Sequence, residues 1–545
     1  MLENTGFELD FVIQYSHDIL KESIMAYISG MDRNQAQMFP EYLEDYVNDD
    51  NPVRVIDTFV ESLDLKKLQF TKVNSGGPGA PSYNPKDLLK LYLYGYMNGI
   101  RSSRKLEKAT YVNIEIIWLI RKLRPDFKTI ADFRKENKNQ LKQILKEFNL
   151  LCKDWSLFGG ELVAVDGTKF RADNSKKNNY NKKKIDRQLK YIEERTEEYL
   201  KILDESDKEE SEIHPQYTVE QLKEKIEELE KRKEFYKDLE HKIENSTDNE
   251  ISTTDPEARM MDNKKNGLEV NYNVQIAVDA KNKLILATEV TNKPSDQGHL
   301  NEMAQAAKET LGIGEKDTLK VTADKGYYQA EDLIACDENG TETYITHQTY
   351  SNATGNPEYY SNKFKYDSSE DVYICPEGQK LYRTNHKVEN PDQIKYKNFR
   401  ACRNCPNKDK CTKSGKGRVI NRGKHQDFLD VVDARTLKNM DIYHQRQMIV
   451  EHPFGTVKRT MNAGYFLTRG LKSVRAEADL IFLAYNIKRA INIMGVKEIL
   501  RRIEAIILIS YGKTKASCIF SLIINLEKHI TDFYIGQTGD LRYCV

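Results

Sequence analysis

Residues 161–170 read ELVAVDGTKF and residues 269–290 read EVNYNVQIAVDAKNKLILATEV, and together they decide the fold. The first is a short run of apolar and β-branched residues ending in Asp-Gly, which predicts a buried strand. The second alternates on both sides of Lys281 and Asn282, which predicts an antiparallel hairpin turning there. Downstream come a helical stretch (HLNEMAQAAKETLG, 299–312), a strand (DTLKVTADKGY, 317–327), a helix (AEDLIACDENG, 330–340) and a last strand (TETYITH, 341–347). Three meander strands followed by alternating helices and strands build a mixed α/β sheet.

At 545 residues the chain exceeds one ordinary core, so several structural units are expected around that sheet. An N-terminal helical domain spans 1–155. Within it Asn84 and Pro85 start a helix, Asn98-Gly99 end it, and Ser102 or Ser103 caps a second helix carrying Arg104, Lys105 and Lys108. Helix, short turn, helix fits either a helix-turn-helix that reads nucleic acid or an ordinary helical hairpin. A further helix follows Thr129 and covers 131–153.

Residues 171–256 interrupt the sheet with a Lys/Glu-rich insertion. Leu189, Ile192, Tyr199 and Ile202 fall on one stripe, and Leu222, Ile226, Leu229, Tyr236, Leu239 and Ile243 on another. With Thr218 and Gln221 as a capping box, this predicts a helical hairpin of coiled-coil character. A second, basic insertion at 350–429 reads as irregular. The sheet domain is thus assembled from 156–170, 257–349 and 430–495, and a helical tail occupies 496–545.

Lys plus Arg equal Asp plus Glu at 84 each, so bulk charge points to no polyanionic partner and must be read locally. The mean hydropathy is −0.69, and no run of eighteen apolar residues occurs, which disfavours a membrane role. Without a basic-then-apolar leader, the expected location is the cytoplasm. Between Lys395 and Lys424 there are eleven Lys or Arg against one acid, Asp409, the pattern of a phosphate-binding surface or of a solvated loop. The same insertion holds Cys375, Cys402, Cys405 and Cys411. Four thiolates would close a tetrahedral structural Zn2+ site; the alternative is unpaired surface thiols in a reducing compartment.

Asp166 ends the first strand and Asp324 ends the strand KVTAD (320–324). The strand order is that of an RNase H-like α/β fold, in which these two positions sit side by side. Adjacent carboxylates repel unless a cation neutralises them, and a divalent metal does so while activating an attacking hydroxyl. A third carboxylate must come from a helix on the sheet. Glu451 in RQMIVEHPFGTVKRT (446–460) is the best candidate, because Lys458 stands about two turns on and Arg459 beside it. Pro453 restricts that helix to a start or a kink nearby. Asp279, Asp296 and Glu289 compete, but their hairpin and loop positions read as solvated turns.

VAVDGTKF (163–170), VTADKGYY (321–328) and VEHPFGTVKR (450–459), followed by GYFLTRG (464–470) and AEADLIFLAYNIKR (476–489), resemble the three signature regions of bacterial insertion-sequence DDE transposases. LKLYLYGYMNGIRSSRKLEKA (89–109) and LRPDFKTIADFRKEN (123–137) are similar to the helical domain preceding the catalytic domain in that family. The resemblance implies an RNase H-like catalytic domain in which Asp166, Asp324 and Glu451 hold two Mg2+ (or Mn2+). It also implies binding to terminal inverted repeats and to target double-stranded DNA, a homodimer in the DNA complex, and association with the nucleoid. The family's Tyr, Arg, Glu, Lys signature maps onto Tyr443, Arg446, Glu451 and Lys458, with Arg446 five residues before Glu451 where four are expected. Arg104 and Lys105 would touch DNA from the N-terminal domain. The alternative is a transposase-derived DNA-binding or structural protein without transposition activity.

Overall fold

The computed structural model describes residues 27–28, 42–73, 81–208, 217–245, 249–263, 267–314, 317–347, 350–384 and 393–508. The expected helical tail beyond 508 lies outside them. By internal contacts the chain forms two compact units, one of 1–148 with 457–463 and 476–545, the other of 149–456 with 464–475. Residues 430–495, expected in one domain, are therefore divided.

The first unit is helical, with α1 (Pro52–Ser62), α2 (Pro85–Met97), α3 (Ser103–Val112), α4 (Ile114–Leu119), α5 (Phe127–Glu136) and most of α6 (Lys138–Asp154). Asn84 and Ser102 accept backbone amides at the starts of α2 and α3. Gly95 lets the two helices close on each other: a Cβ there would lie 2.4 Å from the Ile100 carbonyl oxygen and 2.5 Å from Leu106. The tyrosines of α2 reach α5, with Tyr92 Oη donating to the Ile130 carbonyl at 2.8 Å and Arg134 donating to Tyr96 Oη at 2.8 Å. The single helix read over 131–153 is broken at Asn137, whose buried side chain accepts the Thr71 amide at 2.8 Å instead of extending the helix surface. Lys90, fully buried, is held 2.8 Å from Asp57 Oδ1, and a charge so enclosed persists only because it is paired.

The second unit is built on a sheet of β1 (Leu162–Arg171), β2 (Arg259–Asn263), β3 (Gly267–Asp279), β4 (Ile285–Thr291), β5 (Leu319–Ala323) and β6 (Thr341–Tyr344). The order is β6-β5-β1-β3-β2, with β4 also on β3. β6, β5 and β1 are parallel, and β3 is antiparallel to β1. The insertion between β1 and β2 holds α7 (Lys182–Lys208) and α8 (Val219–Glu244), whose Thr218–Gln221 capping box is formed. Next in the chain are α9 (Leu300–Leu311) and α10 (Ala330–Glu338). α9 packs on the sheet through Leu300, Met303, Ala304, Ala307 and Leu311, a stripe at helical spacing. Each leucine on it contributes roughly 1.5–3 kcal/mol by burial.

Residues 350–429 are not irregular. They contain β7 (Lys365–Asp367), β8 (Val372–Ile374), β9 (Lys380–Arg383), β10 (Gln393–Lys397) and β11 (Val419–Gly423), an antiparallel meander in sequence order, with the short helices α11 (Phe399–Arg403) and α12 (Lys408–Cys411). Strands of three to five residues are too short for alternation to show above so many charges. α13 (Gln426–Lys438) and α14 (Met440–Gly455) return the chain to the main sheet; α15 (Leu471–Met494) follows.

Candidate active site

β1 pairs with β3 along its length but with β5 only as far as Val165 opposite Ala323. The next residue on each of those parallel strands is Asp166 and Asp324, so both carboxylates emerge where the β5 register stops. β1 does not end at Asp166 as its Asp-Gly suggested; antiparallel pairing with β3 carries it to Arg171. Asp324 Oδ1 accepts the Lys325 amide at 2.7 Å and caps the short turn Lys325–Tyr327. Asp166 Oδ1 accepts the Gly167 amide at 2.9 Å.

α14 packs across β1, β3 and β5. Its Arg446 Nη1 stands 3.6 Å from Asp166 Oδ2. Burial pushes the Asp166 carboxyl up to about 7, and the negative charges of Asp324 and Asp296 add to the push; Arg446 and the Gly167 amide oppose it. Tyr327, fully buried, faces the same three aspartates, and burial with their charge raises its hydroxyl well above the usual range.

The Asp166 shift has a measurable consequence. An unfolded Asp titrates near about 4. A carboxyl whose folded pKa lies higher stabilises the fold fully below the unfolded value and loses that contribution as pH rises through about 7. The metal-free protein is expected to lose thermal stability between about pH 4 and 7. Melting curves in a chelator should show that loss shrinking in Asp166→Asn; identical profiles would contradict the shift.

Glu451 is exposed, and its Oε1 accepts Gln447 Nε2 at 2.7 Å. Arg446, Ile449, Val450 and Pro453 form the inward stripe of α14, and a five-residue step from Arg446 turns Glu451 about 140° away from it. Among the described residues no three His, Cys, Asp or Glu side chains are placed to hold one metal ion. The structure thus brings Asp166 and Asp324 together with Arg446 and leaves Glu451 outside them. Tyr443 Oη accepts Thr346 Oγ1 at 3.0 Å. Pro453 lies inside α14, which passes into a π-helical stretch, Thr456–Thr460, carrying Lys458 and the exposed Arg459. Arg104 and Lys105 are exposed on α3, the Arg104 guanidinium 5.1 Å over the Phe127 ring.

Two of the three competing carboxylates have other duties. Asp279, fully buried, accepts the Gly159 and Gly160 amides at 3.0 Å, so it clasps a loop and is no solvated turn. Glu289 pairs with Arg475. Asp296 is different: its Oδ1 accepts Asn273 Nδ2 at 2.7 Å and Gln275 Nε2 at 2.8 Å, and its charge reaches Asp166. The signal for it lay in β3, where Asn273 and Gln275 interrupt an apolar run two residues apart. Buried amides on one strand face require a polar partner.

In the basic insertion Cys375, Cys402, Cys405 and Cys411 line one cavity of about 30 Å3, all four with free thiols. The turn after β8 is tied by Cys375 itself: its amide donates to the Gln379 carbonyl at 2.9 Å, and the Gln379 amide donates to its Sγ at 3.3 Å. Burial pushes the Cys411 thiol up to about 11, with the other three cysteines contributing. One member of the basic run is not a surface charge: Arg422 is buried, donates to Tyr373 Oη at 2.9 Å, pairs with Asp430 at 2.9 Å and lies 3.8 Å over the Tyr366 ring.

Two family models match the chain. Residues 41–136 are similar to the Transposase domain (DUF772), and residues 374–491 to the Transposase DDE domain. The second match covers the four cysteines of the insertion and all of α14. No curated protein matches the chain.

Proposed function

We propose, from the premise that this chain belongs with the insertion-sequence DDE transposases, that it binds the terminal inverted repeats of its element and cuts and joins DNA there. DNA is the partner on which transposases act. The observation that carries the proposal is Asp166 beside Asp324 at the end of the β1–β5 register, with Arg446 against them. The strand order, with β1, β5 and β6 parallel and β3 antiparallel beside β1, supports an RNase H-like catalytic sheet.

Asp166, Asp324 and Glu451 would hold two Mg2+ (or Mn2+). Fit to a cation is supported by the two aspartates that follow the last paired residues of the β1–β5 register, with Arg446 as the cation beside Asp166. Such ions, when bound, activate water or a 3′-hydroxyl and stabilise the leaving oxygen. Arg446 screens Asp166 and is positioned to move onto a DNA phosphate. Glu451, on the same helix as Arg446, would supply the third carboxylate. Tyr443, Lys458 and Arg459 hold phosphates near the cut, and Arg104 and Lys105 on α3 hold the end sequence. The protein works as a homodimer in its DNA complex, at the nucleoid; among the described residues no helix is long and apolar enough to cross a membrane.

Incubation with labelled DNA carrying the element's ends, Mg2+ and a target plasmid tests this. Target-joined products are expected. Cutting without joining would indicate a nuclease, and binding without cutting a transposase-derived DNA-binding protein.

A structural Zn2+ on the four cysteines is part of the proposal, and it would require their thiolates to draw together, since no three of them stand ready around one ion. Support comes from their shared cavity and from the meander's few core residues, Phe364, Tyr373, Leu381, Tyr396 and Ile420, too few to hold a sheet without a staple. Elemental analysis should find about one zinc per chain, lost in Cys375→Ser and Cys411→Ser. Folded protein free of zinc would remove this part alone.

A further inference from the structure

We infer that Asp296, acting through Gln275, is a positioning residue that sets the separation of Asp166 and Asp324 and so their hold on a divalent cation. The inference rests on the proposal that this pair is a metal site.

Asn273 and Gln275 of β3 are fully buried on one strand face. Their side-chain amides both donate to a single oxygen, Asp296 Oδ1, at 2.7 and 2.8 Å. A third donor, Lys169 Nζ of β1, stands 3.4 Å from that oxygen and donates to the Pro294 carbonyl at 2.8 Å. Three donors, one of them cationic, define a site for a charged acceptor, and they fasten the loop after β4 to the two central strands.

The two ends of this cluster touch the flanks of the two aspartates. On the Asp166 side, Gly167 lies so close that a Cβ there would meet Gln275 Nε2 at 2.3 Å and Asp296 Oδ1 at 2.6 Å. On the Asp324 side, Gln275 Oε1 accepts the hydroxyl of Tyr327, the last residue of the turn that Asp324 caps. A continuous chain of packed and bonded groups therefore runs from Gly167 through Asp296 and Gln275 to Tyr327. With the Asp296 carboxylate replaced by a neutral amide, the oxygen shared by Asn273, Gln275 and Lys169 becomes a weaker acceptor, and the Gln275 amide is held less firmly. Gln275 then braces Gly167 on one side and Tyr327 on the other less rigidly. Partners of metal ligands that orient them in this way commonly change metal affinity by about 10–100-fold.

Mn2+ binding to the purified full chain, followed by the electron paramagnetic resonance of free Mn2+, tests this without DNA or activity. Asp296→Asn is expected to weaken binding about tenfold or more while its melting temperature stays close to that of the unaltered chain. Tyr327→Phe, which severs only the Gln275 end, should weaken it by a smaller factor. Asp166→Ala is the reference that should lose the site. If Asp166→Ala loses Mn2+ and Asp296→Asn binds as the unaltered chain does, the inference is overturned while the metal site stands. Should Asp296→Asn not fold, unchanged affinity in Tyr327→Phe overturns it equally. Unaltered binding in Asp166→Ala would instead sink the metal site itself and this role of Asp296 with it.

Discussion

Asp166→Ala and Asp324→Ala are each expected to lower cleavage of an end-bearing plasmid in Mg2+ by on the order of 10^3-fold or more, with binding to the same DNA kept. Divalent ions contribute several kcal/mol of charge stabilisation at a phosphoryl centre, and each 1.36 kcal/mol is about a factor of ten in rate. The loss should not come from unfolding. At neutral pH the Asp166 carboxylate is held at a cost, since burial and two neighbouring aspartates push its titration to about 7. Asp166→Asn removes that charge with little change of shape, so its melting temperature above pH 7 should match or exceed that of the unaltered chain. Arg446 sharpens the comparison, because it is the cation paired with Asp166 and would be left without it in the alanine variant. Cleavage that survives either substitution would take that residue out of the chemistry.

Gly167→Ala is expected to impair cleavage as well, although it adds one methyl group and removes no functional atom. That methyl would stand 2.3 Å from Gln275 Nε2 and 2.6 Å from Asp296 Oδ1, inside van der Waals contact with both. Neither neighbour is the loose end of a mobile side chain: Gln275 is fully buried and bonded at both ends of its amide, and Asp296 carries three donors. Accommodation must come from β1 or β3, shifting Asp166 by the same movement. Overpacking of this kind costs about 1–3 kcal/mol. Thermal melts should register that cost, and cleavage at saturating Mg2+ should fall at least tenfold. A variant with unchanged melting and unchanged cleavage would show that the gap at Gly167 is slack.

Asp296 marks where sequence reading fell short. Its loop position suggests a solvated turn, and only the pairing of β3 with β1 and β4 shows two buried amides and a lysine converging on it. Asp279 was misread for the same reason: the amides it accepts come from Gly159 and Gly160, about 120 residues away in the chain. The cysteine meander is not legible in sequence because strands of three to five residues are too short for alternation to stand out among so many charges. The Glu451 helix was found, yet its rotation was not, since Pro453 and the π-helical stretch after it carry no rule for which face turns inward.

The chain's own letters determined the strands that lead to Asp166 and to Asp324 and the caps at Asn84, Ser102 and Thr218. Each of these depends on residues close together in sequence, through backbone geometry and local periodicity. Tertiary structure alone decided that the β5 register stops one residue before both aspartates, that Arg446 faces Asp166 while Glu451 turns away, and that Asp296 reaches the same edge. Those outcomes arise from contacts between segments a hundred or more residues apart, where burial raises the cost of an unpaired charge and selects its partner.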